Sequence, residues 1–258
     1  MSLSIVDHQL PDDTHNVYDV TFFGDQILTT VTHSPPFVDS WISEIVRIHR
    51  RRLHSLIVGL DIEWRPNNRF YDNPAATLQL CVGHRCLIFQ LIHAPYMPQS
   101  LIDFLGNPVY TFVGVGIDGD VEKLTEEYGL SVATTLDLRR LAAEECGMRE
   151  LRNAGLKTFA MQVLGKEIEK PRRITLSRWD SEWLSAGQVL GEVCAVEWHG
   201  PWVGFLWIDR WWVFLSSSSS SSFHVGSAFE DRRCCFIYFL LLLDICVMFI
   251  YYTWIMDG

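Results

Sequence analysis

Along the first 190 or so positions, apolar and polar residues fall into short blocks with two distinct periods. Val17–Phe23 and Ile27–His33 flank Gly24-Asp25-Gln26 and predict a β-hairpin. Leu56–Ile62 is an apolar run rich in branched residues, the pattern of a buried strand. Thr77–Val82 and Cys86–Leu91 flank Gly83-His84-Arg85 and predict a second hairpin, and Val109–Val115 and Thr134–Leu138 predict further strands. Helical spacing covers Val38–Arg47, Pro98–Leu105, Asp120–Tyr128, Leu138–Cys146 and Leu156–Leu164. Antiparallel strands come first and strand–helix alternation follows. That order predicts an α/β fold with a mixed sheet of five to six strands flanked by helices.

The chemistry concentrates at two strand ends. Leu60-Asp61-Ile62-Glu63-Trp64 closes the third strand, and side chains on a strand alternate faces, so Asp61 and Glu63 point the same way. Two like charges there repel and are costly to desolvate. A divalent cation would remove both costs, whereas an exposed strand end would simply solvate them. In Phe112-Val113-Gly114-Val115-Gly116-Ile117-Asp118-Gly119-Asp120, a buried strand exits through a glycine-rich turn into a helix with Asp120 in its first turn. Ligands of α/β sheets gather at such carboxyl ends, although a carboxylate at a helix start is also favoured by the macrodipole. Asp118 reads as a solvated turn residue.

The net charge of −10 argues against nucleic-acid binding through a broad basic surface, but a carboxylate-lined metal site would itself be acidic. The seven cysteines lack zinc-type spacing and no secretory leader is evident, so reduced thiols and an intracellular setting, nucleus or cytoplasm, are expected. Composition changes abruptly near residue 190. No Lys follows Lys170, five of the ten Trp (Trp198, Trp202, Trp207, Trp211, Trp212) crowd together, and Ser216–Ser222 is unbroken serine. Residues 236–256 are long enough to span a bilayer and follow Arg232-Arg233. Asp244 near their centre costs about 3 kcal/mol on insertion scales. The expected organisation is a tail at 1–14, a folded domain at 15–189, a Trp- and Ser-rich segment at 190–235, and an apolar segment at 236–256. The last is either a membrane anchor or translated non-coding sequence.

Leu60–Trp64, Ala76-Thr77-Leu78-Gln79-Leu80-Cys81, Phe89-Gln90-Leu91, Val113–Asp120 and Ser177-Arg178-Trp179-Asp180 occur in an order that resembles the Werner-syndrome-type 3′–5′ exonucleases, especially the small plant members without a helicase. The resemblance covers about residues 15 to 189. It implies an RNase H-like fold of the DEDD superfamily, tyrosine branch, acting on DNA or RNA 3′ ends. It also implies that Asp61 and Glu63 hold two Mg²⁺ or Mn²⁺ ions, that Glu63 orients the attacking water, and that Asp120 serves the second ion. Two such ions together activate water and stabilise the leaving 3′ oxygen.

The family's third motif is tyrosine, three residues, aspartate, on a final helix. Those positions fall on Gly191 and Ala195, and neither Glu192 nor Glu197 has the expected spacing. Gly191 and Pro201 also predict a disrupted final helix. An impaired exonuclease is therefore expected, with a catalytically inactive nucleic-acid-binding or interaction module on the same fold, or a tail-anchored membrane protein, as the alternatives. Trp64 is a candidate for base stacking and Arg172 and Arg173 for backbone contact, though each also reads as a rim aromatic or a plain exposed loop. His49–His54 reads as a solvated helix end, and Trp179 and Trp183 as packing residues.

Overall fold

The sheet alternation anticipated from the sequence is realised in the computed structural model, which describes residues 3–196 apart from 12, 13, 68, 146, 166 and 168–170. Eight strands form one mixed sheet: β1 (Ser4–Asp7), β2 (His15–Phe22), β3 (Asp25–Thr32), β4 (Ile57–Trp64), β5 (Ala75–Val82), β6 (Arg85–Phe89), β7 (Thr111–Gly114) and β8 (Thr135–Asp137). Their spatial order is β1-β2-β3-β6-β5-β4-β7-β8. The β3–β6, β4–β7 and β7–β8 pairs are parallel, and the other pairs are antiparallel. The expectation of five to six strands is thus corrected upward. β1 lies inside the stretch read as a tail, where its mostly exposed side chains leave no apolar period to detect, whereas β8 falls within the predicted Thr134–Leu138 strand.

Among the described residues seven α-helices accompany the sheet: α1 (Pro35–Ile48), α2 (Gln99–Leu105), α3 (Ile117–Tyr128), α4 (Leu138–Glu145), α5 (Leu156–Leu164), α6 (Arg172–Thr175) and α7 (Ala186–Val196). On one face of the sheet, Val58, Leu60 and Ile62 of β4 pack with Leu78, Leu80 and Val82 of β5, and with Trp41 and Ile45 of α1 and Leu101 and Phe104 of α2. On the other face, Val20, Ile27, Cys81, Cys86 and Ile88 meet Trp179 and Val189 and Val193 of α7. A two-sided sheet explains why every residue of β5 is buried.

Three further expectations are corrected. The final helix forms through Gly191. The roughly 1 kcal/mol that glycine costs in a helix is offset by the burial of Val189 and Val193. Cys81 and Cys86, expected as reduced thiols, are directly opposed across the β5–β6 hairpin and joined as a disulfide. Trp179 packs as anticipated, fully buried, whereas Trp183 is half exposed. Among the described residues no helix is long and apolar enough to cross a membrane, and residues 236–256 lie outside them.

One glycine sets the spacing of the central strands. A Cβ on Gly114, at the end of β7, would sit 2.6 Å from the Leu60 carbonyl oxygen of β4. Gly114→Ala is expected to lower the unfolding free energy by about 2 kcal/mol, read from urea denaturation. An unchanged midpoint would contradict this close approach.

Candidate active site

Asp61 and Glu63 stand half-buried on the face of β4 opposite Leu60 and Ile62. Their partners across β5 are Gln79 and Thr77, both fully buried. The register shifts between Glu63 and Trp64, an irregularity of the kind that re-aims side chains at a strand end. Trp64 packs against the core beneath the Lys123 ammonium, 5.2 Å from its ring centroid. Lys123 also donates to the Asn73 carbonyl at 3.0 Å and pairs with Glu127.

The third acid arrives from β7. Because β7 runs parallel to β4 as its immediate neighbour, both strands present their carboxyl ends at the same edge. The chain leaves β7 through Gly116 at φ +87°, a left-handed conformation suited to glycine. α3 then begins, with Asp118 exposed and Asp120 partly buried in its first turn. Burial, followed by the charges of Asp61 and Glu63, pushes the Asp120 carboxyl up to about 9, with Arg139 opposing the rise. The three acids named from the sequence are therefore brought into one electrostatic cluster.

Two residues of this cluster went unrecognised in the sequence. Asp137, at the end of β8, accepts from the Arg139 backbone N–H at 2.9 Å and from its guanidinium Nη2 at 2.7 Å. Burial pushes Asp137 up, but the hydrogen bonds from Arg139 hold it below the ordinary carboxylate range. Arg139 also lies against Gly116, where an added Cβ would come within 3.1 Å of Nη2. The pair Asp137–Arg139 thus braces the turn that delivers Asp120. The strand itself is predicted, but its contact with the Gly116 turn is long-range and leaves no local pattern in the sequence.

Among the described residues no three His, Cys, Asp or Glu side chains already close into a single-ion cage. The donor set itself, three carboxylates, suits hard Mg²⁺ or Mn²⁺ rather than zinc. On α7, Gly191 is buried and Glu192 wholly so. Gln188, Val189, Glu192 and Val193 form one helical stripe, and that period is the signal by which the burial of Glu192 was readable. Ala195 lies on the same helix. Arg172 and Arg173 open α6 as exposed residues. Arg65, just after β4, reaches Asp180 at 3.3 Å, and Arg178 approaches the same carboxylate at 3.6 Å. The segment that follows α6 is therefore tied to the acid-bearing end of β4.

The 3′–5′ exonuclease family profile matches residues 40–190. Over 186 residues the chain is 33% identical to a 3′–5′ exonuclease of Arabidopsis thaliana, an alignment covering 70% of this chain and 62% of that protein. It is 31% identical over 139 residues to the bifunctional 3′–5′ exonuclease/ATP-dependent helicase WRN of Mus musculus, covering 52% of this chain and 10% of that one. Among solved structures, Escherichia coli RNase D, an exoribonuclease involved in structured RNA processing, shares the fold at a TM-score of 0.54 and 19% identity, covering 66% of this chain and 43% of that one. The chain spans less than two thirds of the length of each of these proteins.

A raised carboxyl has a definite pH signature. Between the ordinary Asp value and about 9 the folded state holds a proton on Asp120 that the unfolded state has lost, so stability falls as pH rises across that window. Without divalent ions, Asp120→Asn is expected to be more stable than the parent at pH 8 by about 1–3 kcal/mol and equal to it near pH 4, as read by thermal unfolding. Equal stability at both pH values would contradict the clustering.

Proposed function

Because this chain belongs to the 3′–5′ exonuclease family, we propose that it hydrolyses phosphodiesters from the 3′ end of nucleic acid at Asp61, Glu63 and Asp120, at a rate reduced by the loss of two third-motif residues. The observation that carries this reading is the parallel pairing of β4 and β7, which brings Asp61, Glu63 and the start of α3 to one sheet edge, where burial, followed by the charges of Asp61 and Glu63, raises Asp120. Two Mg²⁺ or Mn²⁺ ions bound there would supply Lewis acidity and a water of lowered pKa. Asp61 and Glu63 would hold the ions from β4, and Asp120 from α3. Glu63 would accept a hydrogen bond from the attacking water and so orient it toward phosphorus. The product would be a nucleoside monophosphate.

Gly191 and Ala195 stand where the family pattern has tyrosine and aspartate. That favours a second reading, a nucleic-acid-binding module that no longer cuts. A 3′-labelled single strand and a recessed duplex with Mg²⁺ or Mn²⁺ separate the two readings. Slow release of mononucleotides by the parent, abolished in Asp61→Ala, is expected. Cleavage no faster than that of Asp61→Ala would sink the exonuclease reading. Ala195→Asp, alone and with Gly191→Tyr, is expected to raise the rate by about 10–100-fold, the range seen when groups supporting a metal site are lost. An unchanged rate would mean that the third motif is not what limits this chain.

A further inference from the structure

The loop between β4 and β5 carries two aromatic side chains that the core does not use. Phe70 is 85% exposed and Tyr71 70% exposed, the most solvent-facing large apolar residues among those described. They are held on a fixed base. Asn67 Nδ2 donates to Asp72 at 2.7 Å, the Asn73 backbone N–H donates to Asn67 Oδ1 at 2.8 Å, and Asn73 Nδ2 donates to the Pro66 carbonyl at 2.9 Å. Lys123 and Glu127 of α3 secure its far end through the Asn73 carbonyl and the Ala75 N–H. The same helix carries Asp120, so the loop is braced to the candidate acids from both sides.

Resting on the exonuclease reading, we infer that Phe70 and Tyr71 form a stacking platform for the unpaired bases of a single strand whose 3′ end enters the acid cluster. Three features of the chain point to that occupant rather than to a protein surface. The loop is the direct continuation of the strand bearing Asp61 and Glu63. Exposed Arg69 directly precedes the two rings in the chain, and Arg65 and Arg178 share Asp180 at the loop's root, so three arginines stand against Asp72 and Asp180 along this segment, a positive balance that suits a polyanion. The protein as a whole carries net charge −10, so broad phosphate neutralisation cannot supply affinity, whereas base–aromatic stacking is tolerant of sequence and does not depend on net charge.

The test is fluorescence anisotropy of the full chain with a labelled single-stranded DNA oligonucleotide in EDTA, where no cleavage occurs. Phe70→Ala/Tyr71→Ala is expected to weaken binding about tenfold without moving the thermal midpoint, and Phe70→Trp to retain it. An abasic oligonucleotide should bind the parent and the double variant equally. The double variant should leave the salt dependence unchanged, whereas Arg69→Ala should reduce its slope. Equal affinity of the parent and the double variant for the single strand would overturn the platform while leaving the exonuclease reading intact. Ring-dependent binding in EDTA, with no mononucleotide released when Mn²⁺ is then supplied in excess, would uphold the platform and defeat that reading. No binding by the parent would defeat both.

Discussion

The repulsion among Asp61, Glu63 and Asp120 is the constraint around which the site is built. It follows from topology. β4 and β7 are parallel neighbours, so the acids at the end of β4 and the helix that follows β7 meet at one edge, where α/β sheets place their ligands. Gly114 lets the strands approach, and Gly116, braced by Arg139 and Asp137, turns the chain so that α3 begins over β4. Packing energy from the two-sided sheet holds the acids together against their own charge. That is a cost in stability which a bound cation would convert into affinity.

Helix α7 is the last element the structure describes. The helix covers the sheet and buries Val189, Val193 and Glu192, so the scaffold of a third motif is present. The residues at its two chemical positions are glycine and alanine. The family profile ends at residue 190, next to the point where Lys disappears and Trp accumulates.

Much of this was legible in the sequence. Helix α5 has the bounds its apolar period predicts, both hairpins form about their glycine turns, and the alternation of Asp61 and Glu63 against Leu60 and Ile62 is realised on β4. What escaped prediction has physical reasons. β1 is an edge strand whose side chains are mostly exposed. Gly191 looked like a helix breaker because propensity counts only local terms, while the sheet beneath α7 supplies a larger one. Asp137 and Arg139 are two residues apart, and only the fold shows that they support a turn some twenty positions earlier. The aromatic pair at 70 and 71 carries no period at all, and its exposure is visible only in three dimensions.

We propose that Asp61, Glu63 and Asp120 form a cation site in which Asp120, raised by burial and by its two neighbours, keeps its proton until the ion arrives. Titration calorimetry with Mn²⁺ at pH 7.5, repeated in buffers of different ionisation enthalpy, reads this directly. The account predicts binding with release of about one proton per protein, and loss of that release in Asp120→Asn. Binding of Mn²⁺ with no proton release, or no binding at all, would contradict it.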